Sequence, residues 1–455
     1  MTEYMPLIGK IIETHFLMTS PTSSNKKINV LVIAEAANPD WTSVPLLGWL
    51  HTLALSKVCN VHLVTQVRNK EAIEQQGWKE GIEFSTIDSE KLNAPIAKGT
   101  RYIRQRFGGA WTIDTAFMSM MYPYFEYLCW KKFKHDLTAG KFDIVHRITP
   151  VSPTSPSLLA KHLSKLNIPF VVGPLNGGVK WPPQFRNILH KENEWLNYLR
   201  SAHKLLPGYN SMRKYASVLL AGSLATKEQL PTKYKDKVLY VPENAIDPSR
   251  FSLKNTSTYD APIKAAFVGR LVPYKGVDMA IEAMESLLKR GKIRFDIYGT
   301  GPQSEHIKKI VQEKALGEFV TLHGFVPNTE IQKQWVKADI LVFPSIREFG
   351  GGAVLESMAL GVVPVIADYA GPSELVTDKT GFKIPIADRD TLIRSFKETL
   401  EKICEDPSQL ADMRQAGIER VNQYFTWEKK VEKDIQVYNW LLGHSGKPDF
   451  QEPVE

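Results

Sequence analysis

DILVFPSIREFGGGAVLESMALGVVPVIA, residues 339–367, reads in one pass as strand, loop, helix and strand. DILVFPS and VVPVIA are continuous apolar runs, the pattern of strands buried on both faces of a parallel sheet. AVLESMAL between them has helical spacing, and Gly350, Gly351 and Gly352 stand where that helix must begin. A strand, a glycine turn and a helix leading to a second buried strand form one βαβ unit.

The same rhythm extends outward in both directions. Strands are expected at 28–34, 60–67, 143–148, 169–175, 217–222 and 237–242, and then at 264–271, 294–299 and 320–325. A polar, proline-containing stretch, residues 242–262, interrupts the series and reads as a linker. The predicted organisation is a leader at 1–26, an N-terminal Rossmann-like domain at 27–241, the linker at 242–262 and a C-terminal Rossmann-like domain at 263–424. Residues 425–444 are expected to form a final helix packing back toward the first domain, and 445–455 a tail. The fold class is therefore α/β, two doubly wound domains facing a central cleft, with ligands beyond the C-terminal strand ends.

The 455-residue chain is 43% hydrophobic and 23% charged, an ordinary globular balance. Its formal charge of +8 is compatible with anionic ligands and selects none. Cys59, Cys129 and Cys404 form neither a metal spacing nor a disulfide framework, which suits a reducing, cytoplasmic setting. No run reaches the roughly 18–20 apolar residues of a membrane span, and the N-terminus does not read as a secretory signal.

A glycine-rich helix start can hold a diphosphate on its unpaired N–H groups. Glu356, one turn in, could accept two hydrogen bonds from vicinal ribose hydroxyls, and Glu348 could meet hydroxyls beyond the phosphates. Taken alone, Glu356 is better explained as a carboxylate complementing the helix dipole. FVGRLVPYKG (267–276) changes the balance. It places Arg270 and Lys275 at a strand end, where two cations could neutralise a departing diphosphate. DIYGTGPQSE (296–305) lacks the third glycine of a dinucleotide fingerprint and is weak evidence for NAD.

Together these fragments resemble the C-terminal domain of family-four glycosyltransferases, retaining enzymes of the GT-B fold. The resemblance rests on Glu-x7-Glu at Glu348 and Glu356 and on Gly-Arg-x4-Lys-Gly at Gly269, Arg270, Lys275 and Gly276. YGTGP, LHGFVP, ADILVFPS and LESMALGVVPVIADYAGPSELV follow in the expected order. It implies that Arg270 and Lys275 hold the donor diphosphate, Glu356 the ribose and Glu348 the donor sugar. Gly350 and Gly351 would offer N–H groups, and Gly269 and Gly299 would shape the donor site. Many relatives read Glu-x-Phe-Gly, whereas Phe349 here directly follows Glu348, so the sugar pocket differs in shape.

In the N-terminal half, 34–50 takes the place of a Gly-Gly loop of relatives, with only Gly48. Asn176 and Gly177 could line the cleft, or form a rigid Pro/Gly connector. His146 matches the first position of a His-x-His element whose second position is Ile148; a satisfied core histidine is the better account. Asp388-Arg389-Asp390 superficially imitates a metal-binding Asp-x-Asp but reads as helix capping.

Between Arg101 and Asp136, six Lys/Arg against three acids are interleaved with ten aromatics. That suits attachment to anionic lipid; aromatics in the core and charges in solvent are slightly preferred. No nucleic-acid module appears. The expectation is a retaining, metal-independent glycosyltransferase without a cofactor. Its donor is a UDP- or GDP-linked sugar, its acceptor a glycan or lipid-linked glycan in polysaccharide or glycolipid assembly, with peripheral membrane contact left open. An epimerase of GT-B-like fold and an inactive sugar-nucleotide binder are the alternatives.

Overall fold

The computed structural model describes residues 27–90, 110–185 and 208–450. The leader expected at 1–26 lies outside them, as do Arg101, Tyr102 and Phe107 of the basic aromatic stretch.

The first sheet has seven parallel strands in the order β3-β2-β1-β4-β5-β6-β7. They are β1 Asn29–Ala34, β2 Asn60–Gln66, β3 Phe84–Ile87, β4 Ile144–Thr149, β5 Phe170–Leu175, β6 Val218–Ala221 and β7 Val238–Tyr240. The second sheet has six parallel strands in the order β10-β9-β8-β11-β12-β13. These are β8 Ile263–Val268, β9 Ile293–Tyr298, β10 Val320–Gly324, β11 Ile340–Phe343, β12 Val363–Asp368 and β13 Phe382–Pro385. Both orders reverse direction beside the first strand of their sheet, which opens a crevice between β1 and β4 and another between β8 and β11. This is the GT-B arrangement.

Central strands such as β5 and β11 are buried at every residue, as their unbroken apolar runs require. The short edge strands β3 and β13 were not among the strands expected. FSTI and FKIP are too brief and too polar to stand out from their surroundings.

The Val277–Lys289 and Arg389–Glu405 helices pack together on the second sheet. Arg389 joins them through paired bonds to Glu282 and one to Asp278 at 2.9 Å. Asp388 caps the second of these helices by accepting from the Thr391 N–H at 3.1 Å. Among the described residues, no group of three His, Cys, Asp or Glu is placed to hold a metal. None of the described helices is long and apolar enough to cross a membrane.

The chain passes between the domains twice, side by side. Ile246 N–H donates to Phe425 O at 2.7 Å, and Trp427 N–H to Ile246 O at 3.2 Å. The Trp427–Leu441 helix then lies against the Val44–Ser56 helix of the N-terminal domain. Buried polar pairs fix it there: His51 Nε2 to Asp434 Oδ2 at 2.6 Å, and Tyr438 hydroxyl to His146 Nδ1 at 2.6 Å. Lys430 Nζ donates to the carbonyls of Pro242 and Glu243 at the first crossing.

Candidate active site

The crevice between β8 and β11 is built from two loops that approach each other by backbone. Residues 269–276 leave β8, and residues 344–351 leave β11. Ile346 N–H donates to Tyr274 O at 3.0 Å. A side chain on Gly276 would stand 2.7 Å from Pro344 O, so glycine permits the approach. The result brings Lys275 Nζ onto Glu348 Oε2, with the ammonium also 4.8 Å from the centre of the Phe343 ring. Both side chains are largely buried yet still reach the cleft. Arg270, in the same loop, is exposed, and no ion pair or hydrogen bond holds its guanidinium among the described residues.

The Gly352–Leu360 helix starts directly from this crevice. Gly351 is its left-handed N-cap (φ 65°), and no side chain caps its first turn. Val354 N–H bonds back to Gly351 O at 2.9 Å, and the Gly352 and Ala353 N–H groups ahead of it, bonded to no other described residue, remain available to an anion. Gly350 is pressed against the interdomain crossing, where a Cβ would meet Asn244 Nδ2 at 2.3 Å and Glu243 Oε2 at 2.5 Å.

Glu356 sits on this helix, half-buried, without an ion pair or hydrogen bond to another described residue. Burial pushes its carboxyl up to about 7, opposed only by the field of Arg250. For an acid raised above its ordinary 4.5, the folded state is penalised once the group ionises. The penalty is absent at low pH, grows between about 4.5 and 7, and is complete above that window, at roughly 3 kcal/mol. Glu356→Gln should accordingly stabilise the free protein at about pH 8 by up to roughly 3 kcal/mol and leave it unchanged near pH 4.5. Urea unfolding at the two pH values measures this; equal stabilisation at both would remove the ionisation argument.

Of the three residues expected on the sugar or acceptor side, His146 is placed elsewhere. His146 is fully buried in β4; its Nδ1 accepts from Tyr438 and its Nε2 donates to Gly173 O at 2.8 Å. Burial lowers its pKa to about 4, so the ring is a neutral core group that does not face the cleft. Asn176 is buried and committed. Its amide donates to Glu243, and its oxygen accepts from Ser223 at 2.9 Å and Thr226 at 3.1 Å. Gly177 follows it in a left-handed conformation, with its N–H on Thr226 Oγ1 at 3.3 Å. This segment is a wall of the cleft.

The structure adds residues that the sequence reading passed over. Glu243 and Asn244, read as linker, abut the Gly350 loop, and burial raises the Glu243 carboxyl. Trp181 reaches across from the N-terminal half: its ring lies 5.0 Å from the Arg347 guanidinium and 6.2 Å from the Tyr274 ring. Tyr369 donates to Lys180 O at 2.7 Å. Arg347 is also 5.5 Å from the Phe349 ring. The signal was a polar pair directly after a strand, in PENAID, which composition alone classes as linker.

Two doubly wound domains, with cations and carboxylates gathered at the second switch point, have the GT-B fold. Residues 249–420 match the family model described as glycosyl transferases group 1. The putative colanic acid biosynthesis glycosyltransferase WcaL of Salmonella typhimurium is 27% identical over 249 residues, 50% of this chain and 58% of that protein. The amylovoran biosynthesis glycosyltransferase AmsK of Erwinia amylovora is 31% identical over 155 residues, 32% of this chain and 38% of that one. The chain thus spans about half the length of the curated relatives it matches. Sucrose-phosphate synthase from Thermosynechococcus elongatus superposes with a TM-score of 0.61 at 16% identity, over 92% of this chain and all of that one. Anabaena Alr3699/HepE in complex with UDP-glucose gives 0.56 at 15% identity, over 90% of this chain and all of that one.

Proposed function

We propose that the protein transfers a sugar, with retention of configuration, from a UDP- or GDP-sugar to a glycan or lipid-linked glycan. The observation that carries this reading is the Lys275–Glu348 pair beside an uncapped, glycine-started helix at the β8/β11 crevice. The names of two relatives, which refer to colanic acid and amylovoran biosynthesis, support polysaccharide assembly as the setting. The UDP-glucose complex of a structural neighbour supports a nucleotide-sugar donor.

In this scheme the donor diphosphate opens the Lys275–Glu348 pair. Lys275 and Arg270 take the phosphates, while Glu348 is released to accept from the sugar hydroxyls. Glu356 accepts from the ribose, and the first-turn amides at Gly350–Gly352 face the phosphates. The bond from the anomeric carbon to the diphosphate oxygen breaks, and the acceptor oxygen bonds to that carbon on the same face. The acceptor proton passes to the departing diphosphate. Negative charge gathers on that group in the transition state, so the two cations act more strongly there than on the bound donor. No step in this scheme requires a metal.

A panel of UDP- and GDP-sugars should contain one that stabilises the purified protein to heat and is slowly hydrolysed by it. With acceptor, NMR of the product should give the donor's own anomeric configuration. Epimerised donor in the absence of acceptor would establish an isomerase instead, and binding without any turnover an inert binder.

A further inference from the structure

The basic, aromatic stretch near residue 130 divides in the structure. Tyr122, Phe125 and Phe133 are buried in the core, whereas Tyr124, Tyr127 and Trp130 are not. On the Ala110–Thr138 helix, Tyr124, Tyr127, Lys131 and Lys134 recur at intervals of three, four and three and so form a single stripe. Tyr127 is 51% exposed, which is unusual for so large an aromatic side chain beside lysines. On the adjacent Leu159–Lys165 helix, Lys161, His162 and Lys165 share the outer face with exposed Leu158.

The two faces are one surface. The Trp130 ring stacks on His162 with centres 4.6 Å apart and planes within 18°. Beneath them, buried Glu126 accepts from Ser157 Oγ at 2.5 Å and from the Leu158 and Leu159 N–H groups at 2.6 and 2.9 Å. One carboxylate thus fastens the second helix start to the first helix. Lys131, Lys134, Lys161 and Lys165 make no ion pair among the described residues. Of the acids on these two helices beyond residue 120, Glu126 is buried and Asp136 is held by Lys141 at 3.1 Å. Four unneutralised lysines beside exposed aromatic and aliphatic groups complement a negatively charged surface with an apolar interior.

We infer that this face of the N-terminal domain docks on an anionic lipid bilayer, with the lysines at the headgroups and Tyr124, Tyr127 and Leu158 in the interfacial layer. Leu158 follows directly on the loop leaving the C-terminal end of β4, so the apolar end of the face lies toward the cleft. A bilayer-borne acceptor would then be presented near the site. The docking itself does not depend on the transfer reading and needs no turnover to be seen.

The test is co-sedimentation of the full chain with vesicles of phosphatidylcholine, alone or mixed with phosphatidylglycerol, across a salt series. Binding should require phosphatidylglycerol and weaken as salt rises. Neutralising Lys131, Lys134, Lys161 and Lys165 together with glutamine should lower partitioning roughly several hundredfold, about fivefold for each. Tyr127→Ser should weaken it further at a fixed salt. The same four-lysine change at exposed Lys289, Lys308, Lys309 and Lys333 of the other domain should leave it unaltered. Equal loss with that control variant would reduce the effect to net charge and overturn the assignment. So would absence of vesicle binding, or tight duplex DNA binding that the four substitutions abolish while vesicles are ignored.

Discussion

Lys275→Ala is expected to lower kcat/KM by about 10²–10³, roughly 3–4 kcal/mol of transition-state stabilisation, with the fold intact. The size follows from where the charge develops. A diphosphate leaving group gains negative charge as its bond to the sugar breaks, and Lys275 is a fixed cation within a partly desolvated crevice. Stability should change by no more than about 1 kcal/mol, because the pair it forms with Glu348 still borders solvent. Glu348→Gln should also cut turnover while retaining most donor affinity. The double variant should be little worse than Lys275→Ala alone, since both act on one donor in one geometry. Steady-state kinetics with a donor chosen by thermal stabilisation, alongside circular dichroism, measures all three. Turnover within a fewfold of the parent in both single variants would remove this crevice as the reaction site.

The fold was legible because parallel α/β sheets announce themselves through buried, unbroken apolar strands, and β5, β11 and β12 are all of that kind. Edge strands β3 and β13 were not, since a short strand with one neighbour needs little apolar sequence. In the site, the residues on the loops after β8 and β11 could be read from glycines and charges at fixed spacing. Their pairing could not. That Lys275 meets Glu348, 73 positions along, depends on β8 and β11 being neighbours in the sheet. The interdomain contributors were hidden for the same reason. Glu243, Asn244 and Trp181 acquire a role only when the two domains face each other. Gly48 shows the opposite case, a residue noted in the sequence whose work is local. A Cβ there would stand 2.2 Å from Ala36 O, so it lets the first helix approach the loop leaving β1. His146 was legible as to type: a histidine inside a buried strand is more often a hydrogen-bonded core group than a reagent.

Two glycines of the donor side should respond to the same substitution in opposite ways. Gly299 ends β9 at φ 141°, and a Cβ there would lie 1.9 Å from Gly269 O and 2.9 Å from Gly269 C. Gly269 itself has φ 154° and donates its N–H to Tyr298 O at 3.0 Å, so both backbones are already tied to the sheet. Neither can retreat without breaking that ladder, and an alanine would add left-handed strain to the overlap. Gly299→Ala should therefore cost about 3–5 kcal/mol of stability, visible as a lowered urea midpoint in the unliganded protein. At Gly350 the atoms in the way are Asn244 Nδ2 and Glu243 Oε2, the ends of side chains that can rotate. Gly350→Ala should thus lose no more than about 1–2 kcal/mol of stability. Its cost should fall instead on donor binding, because the displaced carboxylate and amide border the amides that face the phosphates. A Gly299→Ala protein that unfolds at the parent's urea concentration would show that the β8 and β9 loops do not touch. A Gly350→Ala protein with the parent's donor affinity would show that the helix start is not where the diphosphate binds.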